Sequence, residues 1–208
     1  CCCICICCSC AFALSAFILS TAVSNTAIAC FELPCVIILN IVKTFKSNDD
    51  GKDLITGIHR PGDFIGYNDL IEGIEHHETA EALEESEVVI IPKNDFFSLL
   101  YSNRDVAAKF IKMLSNNIQE NESRLLNLAY NSVRKRVADA LLTLQERYKL
   151  NGQPLPFTVS REDLASMVGT ATESVIRTLS DFKDEKLIEI KEKNIVIAST
   201  DRLARMKN

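Results

Sequence analysis

The 208-residue chain has no tryptophan, and several other residue types are missing from long stretches of it. No glycine precedes Gly51, and no Lys or Arg precedes Lys43. Glu32 is the single charged residue among the first forty, which also lack His, Tyr, Gln and Met. With no basic start, this opening does not fit a secretory leader. All nine cysteines lie at or before Cys35, seven of them in "CCCICICCSC". None follows. Residues 41–208 contain no nucleophile–base pair, no Walker loop and no zinc-ligand spacing. An enzyme is not expected, nor is a metal site.

What is present from Ile41 onward is the composition of an ordinary soluble protein. Its charge is divided. Residues 41–130 hold 9 Lys/Arg and 16 Asp/Glu, whereas residues 131–208 hold 14 and 11. A mildly basic C-terminal segment on an acidic chain permits a nucleic-acid surface without proving one.

Residues 41–100 read as short β-strands. "IVKTFK" and "DLITGI" flank the polar turn "SNDDGK", which predicts a hairpin. "HRPGDFIG" is a turn, "EALEESEVVIIP" a strand ending at Pro92, and "KNDFFSLLYS" a short helix capped by Asn94 or Asp95. Residues 103–130 carry the longest helical pattern. Ala107, Ile111, Leu114, Ile118, Asn121, Leu125 and Leu128 alternate at spacings of four and three. That is a heptad seam, which calls for packing on its own domain or on a second copy. Residues 132–149 give another amphipathic helix, "NGQPLP" a loop and "FTV" a short strand.

"SREDLASMVGTATESVIRTLSDFKDEKLI" (160–188) is the most informative segment. Ser160 and Asp163 suit a helix start, and Gly169 suits its end. Thr170 with Glu173 suits a second capping box, and Val175, Ile176, Leu179 and Phe182 a buried face. Two short helices about a glycine turn make a helix-turn-helix. "LIEIKEKNIVIA" then reads as a hairpin, a wing. A DNA-reading helix needs polar, exposed residues near its N-terminus. Thr172, Glu173, Ser174 and Arg177 are the candidate base readers. Glu173 can accept from cytosine N4, and Arg177 can donate twice to guanine. Ser160, Arg161, Thr170, Thr178 and Lys183 are candidate phosphate contacts. Two alternatives stay open. Glu173 could serve only as a cap or pair with Arg177 on the solvated face, and the winged helix could bind protein rather than DNA.

Taken in order, "GKDLITGIHRPGDFIGYNDLIEG", the long helix and "SREDLASMVGTATESVIRTLSDFKDEKLIEI" resemble the CRP/FNR family of bacterial transcription regulators. The resemblance implies an α+β chain. Its parts would be an antiparallel, jelly-roll-like β-roll sensor (1–101), a dimerisation helix (102–130) and a DNA-binding winged helix (131–208). It also implies a cytoplasmic homodimer on pseudo-palindromic double-stranded DNA, with contact to RNA polymerase for which "NGQPLP" is a candidate surface. Glu173 and Arg177 match the family's base-reading Glu and Arg, while Thr172 stands where cyclic-AMP-responsive members carry Arg. In the long helix, Ile111, Leu114, Ile118, Asn121 and Leu125 would form the dimer seam.

The effector site departs further. Cyclic-nucleotide-binding members have Gly-Glu after the turn and an Arg-Ser pair later. Here Gly66 is followed by Tyr67, and His76 and His77 fall near the Arg-Ser position. No Arg or Lys lies between Pro61 and Pro92. A buried phosphate wants a charged donor, usually Arg, and histidines largely neutral at pH 7 are poor substitutes. Gly66, Tyr67, His76 and His77 are the candidate effector residues. Cyclic AMP is not expected, and no cofactor is assigned.

Some members of the family hold an iron–sulfur cluster with N-terminal cysteines. Cluster ligands need defined spacers, and adjacent cysteines cannot all point at one centre. A disulfide scaffold suits a reducing cytoplasm poorly. Residues 11–30 are apolar and long enough for a span, with Lys43 and Lys46 after them. About forty residues should precede "IVKTFK" to build the first half of the roll, and this stretch has that length with the wrong composition. The expectation is that residues 1–40 do not carry the natural sequence, so neither cysteine chemistry nor a membrane contact is assigned to them.

Overall fold

The computed structural model describes residues 19–23, 27–28, 35–74, 77–149, 153, 155–192 and 194–206. The chain is α+β. Its first part is a roll of two antiparallel sheets. The strands are β1 (Leu19–Val23), β2 (Ala27–Ile28), β3 (Cys35–Leu39), β4 (Val42–Ser47), β5 (Asp53–His59) and β6 (Phe64–Ile65). Helix α1 (Tyr67–Glu72) intervenes before β7 (Thr79–Ala82) and β8 (Ser86–Ile90). One sheet has the order β1-β8-β3-β6 and the other β2-β7-β4-β5. Alternation places Val42 and Thr44 of β4 on the buried face. The β4–β5 hairpin forms where the sequence placed it. The side chain of Asn48 accepts from the N–H groups of Asp50 and Lys52, and Gly51 supplies a left-handed φ of 73°.

Three local expectations need correction. "EALEESEVVIIP" is two strands, β7 and β8, because the chain turns at Leu83–Glu85. The next helix, α2 (Lys93–Ser102), has Pro92 at its N-cap and no side-chain cap. Asn94 and Asp95 lie inside its first turn. The third concerns residues 35–40, which composition grouped with the stretch before them. Cys35 and Ile37 are buried with Val42, Ile65, Val88 and Ile90 in the core of the roll. Cys35 acts there as a small apolar side chain, its thiol pushed up to about 11 by burial. The other eight cysteines lie outside the described residues.

Helix α3 (Arg104–Tyr130) has 27 residues and is about 40 Å long at 1.5 Å per residue. Asn103 caps it by accepting from the N–H groups of Asp105 and Val106. None of its residues is buried. It leads to α4 (Val133–Arg147), β9 (Phe157–Thr158), α5 (Arg161–Val168) and α6 (Thr172–Asp184). The strands β10 (Ile188–Lys191) and β11 (Asn194–Ile197) and the helix α7 (Thr200–Ala204) complete the chain. A three-stranded sheet in the order β10-β11-β9 forms the wing.

The two ends of the chain share a core. Ile41, Ile55 and Ile58 from the roll pack in one cluster with Val137, Leu141, Leu164 and Val168 of α4 and α5. Polar contacts reinforce this junction. Lys43 of β4 bonds Asp163 of α5. Arg124 of α3 donates to the carbonyls of Ile55 and Thr56 in β5 and, at 3.5 Å, to that of Met167 in α5. Arg147 of α4 lies 3.1 Å from Asp63. A cleft of about 800 Å³ opens beside these contacts, between β5, α3, α4 and α5.

Candidate nucleic-acid interface

Helix α5 starts as its sequence implies. The Ser160 hydroxyl accepts from the Asp163 N–H at 2.8 Å and donates to Asp163 Oδ2 at 2.8 Å. It ends at Gly169, whose φ of 67° is left-handed. The left-handed backbone is what favours glycine here, and a Cβ would also press on the side chain of Leu128 from the end of α3 at 3.1 Å. The N–H groups of Gly169 and Thr170 both bond the carbonyl of Ala165.

Helix α6 does not begin with the capping box that the sequence suggested. Its N-cap is Ala171, with no side-chain cap. The closing turn of α5 uses the Thr170 N–H, which shifts the helix start one residue on. Glu173 is thereby released from a capping role. Two further expectations fail on α6. Ile176 is 50 % exposed rather than buried, because Val175, Thr178, Leu179 and Phe182 take the inward stripe at spacings of three and four. Thr178 belongs to that inward stripe. Its hydroxyl donates to the Ser174 carbonyl at 2.8 Å and is not available to a phosphate.

The outward stripe is Glu173, Ile176, Arg177 and Ser180, all exposed. Among the described residues, neither the Glu173 nor the Arg177 side chain has a hydrogen-bond or ion-pair partner, so the alternative of a mutual pair is not formed. Thr172 and Ser174 flank the stripe half-buried. Arg161 and Thr170 are half-buried beside the turn, and Ser160 is exposed with its hydroxyl engaged in the cap. Lys183 is exposed in the last turn of α6, about 15 Å along the axis from Glu173.

On α3, Ile111, Ile118 and Leu125 are 66 %, 59 % and 66 % exposed and recur every seven residues along one open line. Asn121 is exposed beside them. Leu114 instead turns toward the roll and packs against the cluster of Tyr67, Leu70 and Phe96.

Two family models match the chain. A cyclic nucleotide-binding domain covers residues 35–103, and a Crp-like helix-turn-helix domain covers residues 135–206. Electron transport regulator A of Shewanella oneidensis is 30% identical over 165 residues, 78% of this chain and 66% of that protein. The fumarate and nitrate reduction regulatory protein of Yersinia pestis is 27% identical over 168 residues, 79% of this chain and 67% of that protein. The chain thus spans about two thirds of the length of these relatives. The chain belongs to the CRP/FNR family. Membership makes it a DNA-binding transcription regulator rather than an enzyme. The fold agrees with FixK2 of Bradyrhizobium japonicum at a TM-score of 0.79 and 23% identity, over 94% of this chain and 98% of that one. It agrees with a CRP/FNR-family regulator of Thermus thermophilus at 0.74 and 21% identity, over 89% and 96%. Among the described residues, no helix is long and apolar enough to cross a membrane.

In this CRP/FNR chain the expected effector residues are only partly brought together. Gly66 is the left-handed N-cap of α1, and Tyr67 follows it into the core. The Tyr67 hydroxyl accepts from Asn117 Nδ2 of α3 at 2.5 Å, so this residue joins roll to long helix. Burial raises its pKa. His77 is exposed, with its N–H donating to Asp69 Oδ2. His76 lies outside the described residues.

Sequence reasoning missed a half-buried polar chain in the roll, centred on the buried Thr44. Thr44 Oγ1 lies 3.0 Å from both Thr56 Oγ1 and His59 Nε2, and the Thr56 hydroxyl donates to Glu78. Burial holds the His59 imidazole neutral, with a pKa of about 4; nearby Asp63 opposes this and Arg147 adds to it. Strand alternation from Val42 to Thr44 was the available signal. This network offers two hydroxyls, a neutral imidazole and a carboxylate, with no cation. A phosphate would find no charged donor among these groups.

Proposed function

We propose that this CRP/FNR chain acts as a homodimer that reads a two-fold, pseudo-palindromic DNA site with α6 of each copy. Glu173 and Arg177 are the base readers, with Thr172 and Ser174 beside them. The observation that carries this is their release. Both project from the outward stripe of α6, exposed and without partners among the described residues. Unpaired charged groups on a helix that fits the major groove are poised for base edges. Arg161, Thr170 and Lys183 serve the phosphates and fix register, whereas the Ser160 hydroxyl is held in the α5 cap.

The open line Ile111–Ile118–Leu125 supports α3 as the dimer seam, with Asn121 setting its register. A second copy would cover apolar surface that a single chain leaves in water. The roll responds to an effector other than cyclic AMP, since its interior chain ends on the carboxylate of Glu78 and lacks a cation. Tyr67 and Asn117 pass the effector's influence to α3. Contact with RNA polymerase belongs to the same reading, with residues 151–156 as the candidate surface.

Sedimentation of the wild-type protein and Ile118→Glu tests the dimer, and titration of both onto a duplex recovered from a random pool tests the reading. A dimeric wild type is expected, with DNA affinity that falls steeply with salt, together with a monomeric, weakly binding variant. Salt-independent binding, or no recovered sequence, would favour a winged helix that binds protein and would overturn the proposal.

A further inference from the structure

The outward stripe of α6 has one apolar member. Ile176 stands three residues after Glu173 and next to Arg177, 50 % exposed on an otherwise polar face. It is not part of the inward stripe, which Val175, Thr178, Leu179 and Phe182 complete without it. Its side chain therefore does not serve the core of the winged helix. A single exposed apolar residue is common on protein surfaces. This one occupies the centre of the surface that the proposed function turns toward base edges.

We propose that Ile176 is a specificity residue that reads the 5-methyl group of a thymine in each half-site. The inference rests on α6 being the reading helix. The major groove offers four kinds of hydrogen-bonding edge and one apolar feature, the thymine methyl. Glu173 and Arg177 can address the polar edges only. Ile176 lies about one turn from Glu173 along the same face, so its contact falls within the bases these two span. An isoleucine in a helix is held almost wholly in one χ1 rotamer. Its γ-methyl group is presented in a fixed place, at little entropic cost. Contact with a thymine methyl removes apolar surface of both partners from water. A cytosine or uracil at that position offers no such surface.

The test uses duplexes recovered by the wild-type protein from a random pool. Each thymine of a half-site is replaced in turn by deoxyuridine, which removes the methyl and leaves every hydrogen-bonding group. One thymine is expected at which the replacement weakens wild-type binding about fourfold, the worth of one buried methyl group. Ile176→Ser should bind the thymine and deoxyuridine duplexes equally, and Ile176→Val should keep the discrimination. Because Ile176 is half exposed, both variants should keep the wild-type melting temperature. A wild type indifferent to deoxyuridine at every position would overturn the assignment. So would an Ile176→Ser variant that discriminates as the wild type does. Failure to recover any preferred duplex would instead remove the reading role of α6, and this inference with it. Loss of sequence preference in Arg177→Ala, measured in parallel, separates the two failures.

Discussion

Lys43 Nζ lies 2.5 Å from Asp163 Oδ1, joining the β-roll to the first helix of the helix-turn-helix. The same ammonium lies 3.0 Å from Glu81 of β7. Both ends of the main pair are largely shielded, at 12 % and 20 % exposure. Burial works against the charged lysine, but its hydrogen bonds to Asp163 and Glu81 outweigh this and raise its pKa. Asp163 is also the partner of Ser160 in the α5 cap. The start of the DNA-binding motif is thus fastened to the sheet that carries the polar chain of Thr44, Thr56 and His59.

Lys43→Met should leave two shielded carboxylates without their cation. A loss of about 1–3 kcal/mol in folding stability is expected, read from urea denaturation. The double variant Lys43→Met, Asp163→Asn should lose less than the two single changes added together. Strict additivity would show that the pair does not couple roll to winged helix.

Arg124 ties α3 to two other elements, with carbonyls of Ile55 and Thr56 in β5 and of Met167 in α5 as acceptors. Burial lowers its pKa, yet the guanidinium stays charged at any working pH. Arg124→Lys should not rescue the stability lost in Arg124→Ala, since a single ammonium cannot reproduce the planar fork across two adjacent carbonyls. Each should cost about 1–3 kcal/mol. A fully stable Arg124→Lys protein would contradict this role.

Stability should also depend on acid through His59. The ordinary histidine value is 6.5 and the folded value about 4. Below about pH 6.5 the unfolded chain binds a proton that the folded chain refuses. This contribution is fully present above pH 6.5 and is lost progressively as pH falls toward 4. Melting temperatures measured across that window should fall less steeply in His59→Gln than in the wild type. Parallel profiles would show that His59 is not held neutral by burial.

How much of this was legible depends on how local the signals were. Ser160, Asp163 and Gly169 announce the ends of α5 within ten residues, and the structure places them there. The heptad spacing likewise gave α3, and Ile111, Ile118 and Leu125 its open line, but not that Leu114 packs on the roll. Thr170 and Glu173 misled because the closing turn of α5 claims the Thr170 N–H, a competition invisible in the capping pattern alone. Ile176 misled because hydrophobicity does not say which of two adjacent positions, 175 or 176, faces inward. The Lys43–Asp163 bond spans 120 residues, and Arg124 bonds backbone carbonyls that carry no residue signature. Neither could be read without the fold.

Thr178, withdrawn from the phosphate set, and Arg161, kept in it, can be compared directly. Thr178→Val should leave DNA affinity unchanged, since its hydroxyl already donates to Ser174. Arg161→Ala should weaken binding to all sequences alike and lower the salt slope by about one. A selective loss in Thr178→Val would restore it as a DNA contact.

The most direct measurement is the affinity of wild-type and Arg177→Ala proteins for a recovered duplex and its single-base variants, at one fixed salt concentration. The account expects Arg177→Ala to lose about 1–3 kcal/mol on the recovered duplex and to lose its preference at one base pair per half-site. Equal weakening on every duplex, with the base preferences intact, would contradict it and make Arg177 a phosphate contact.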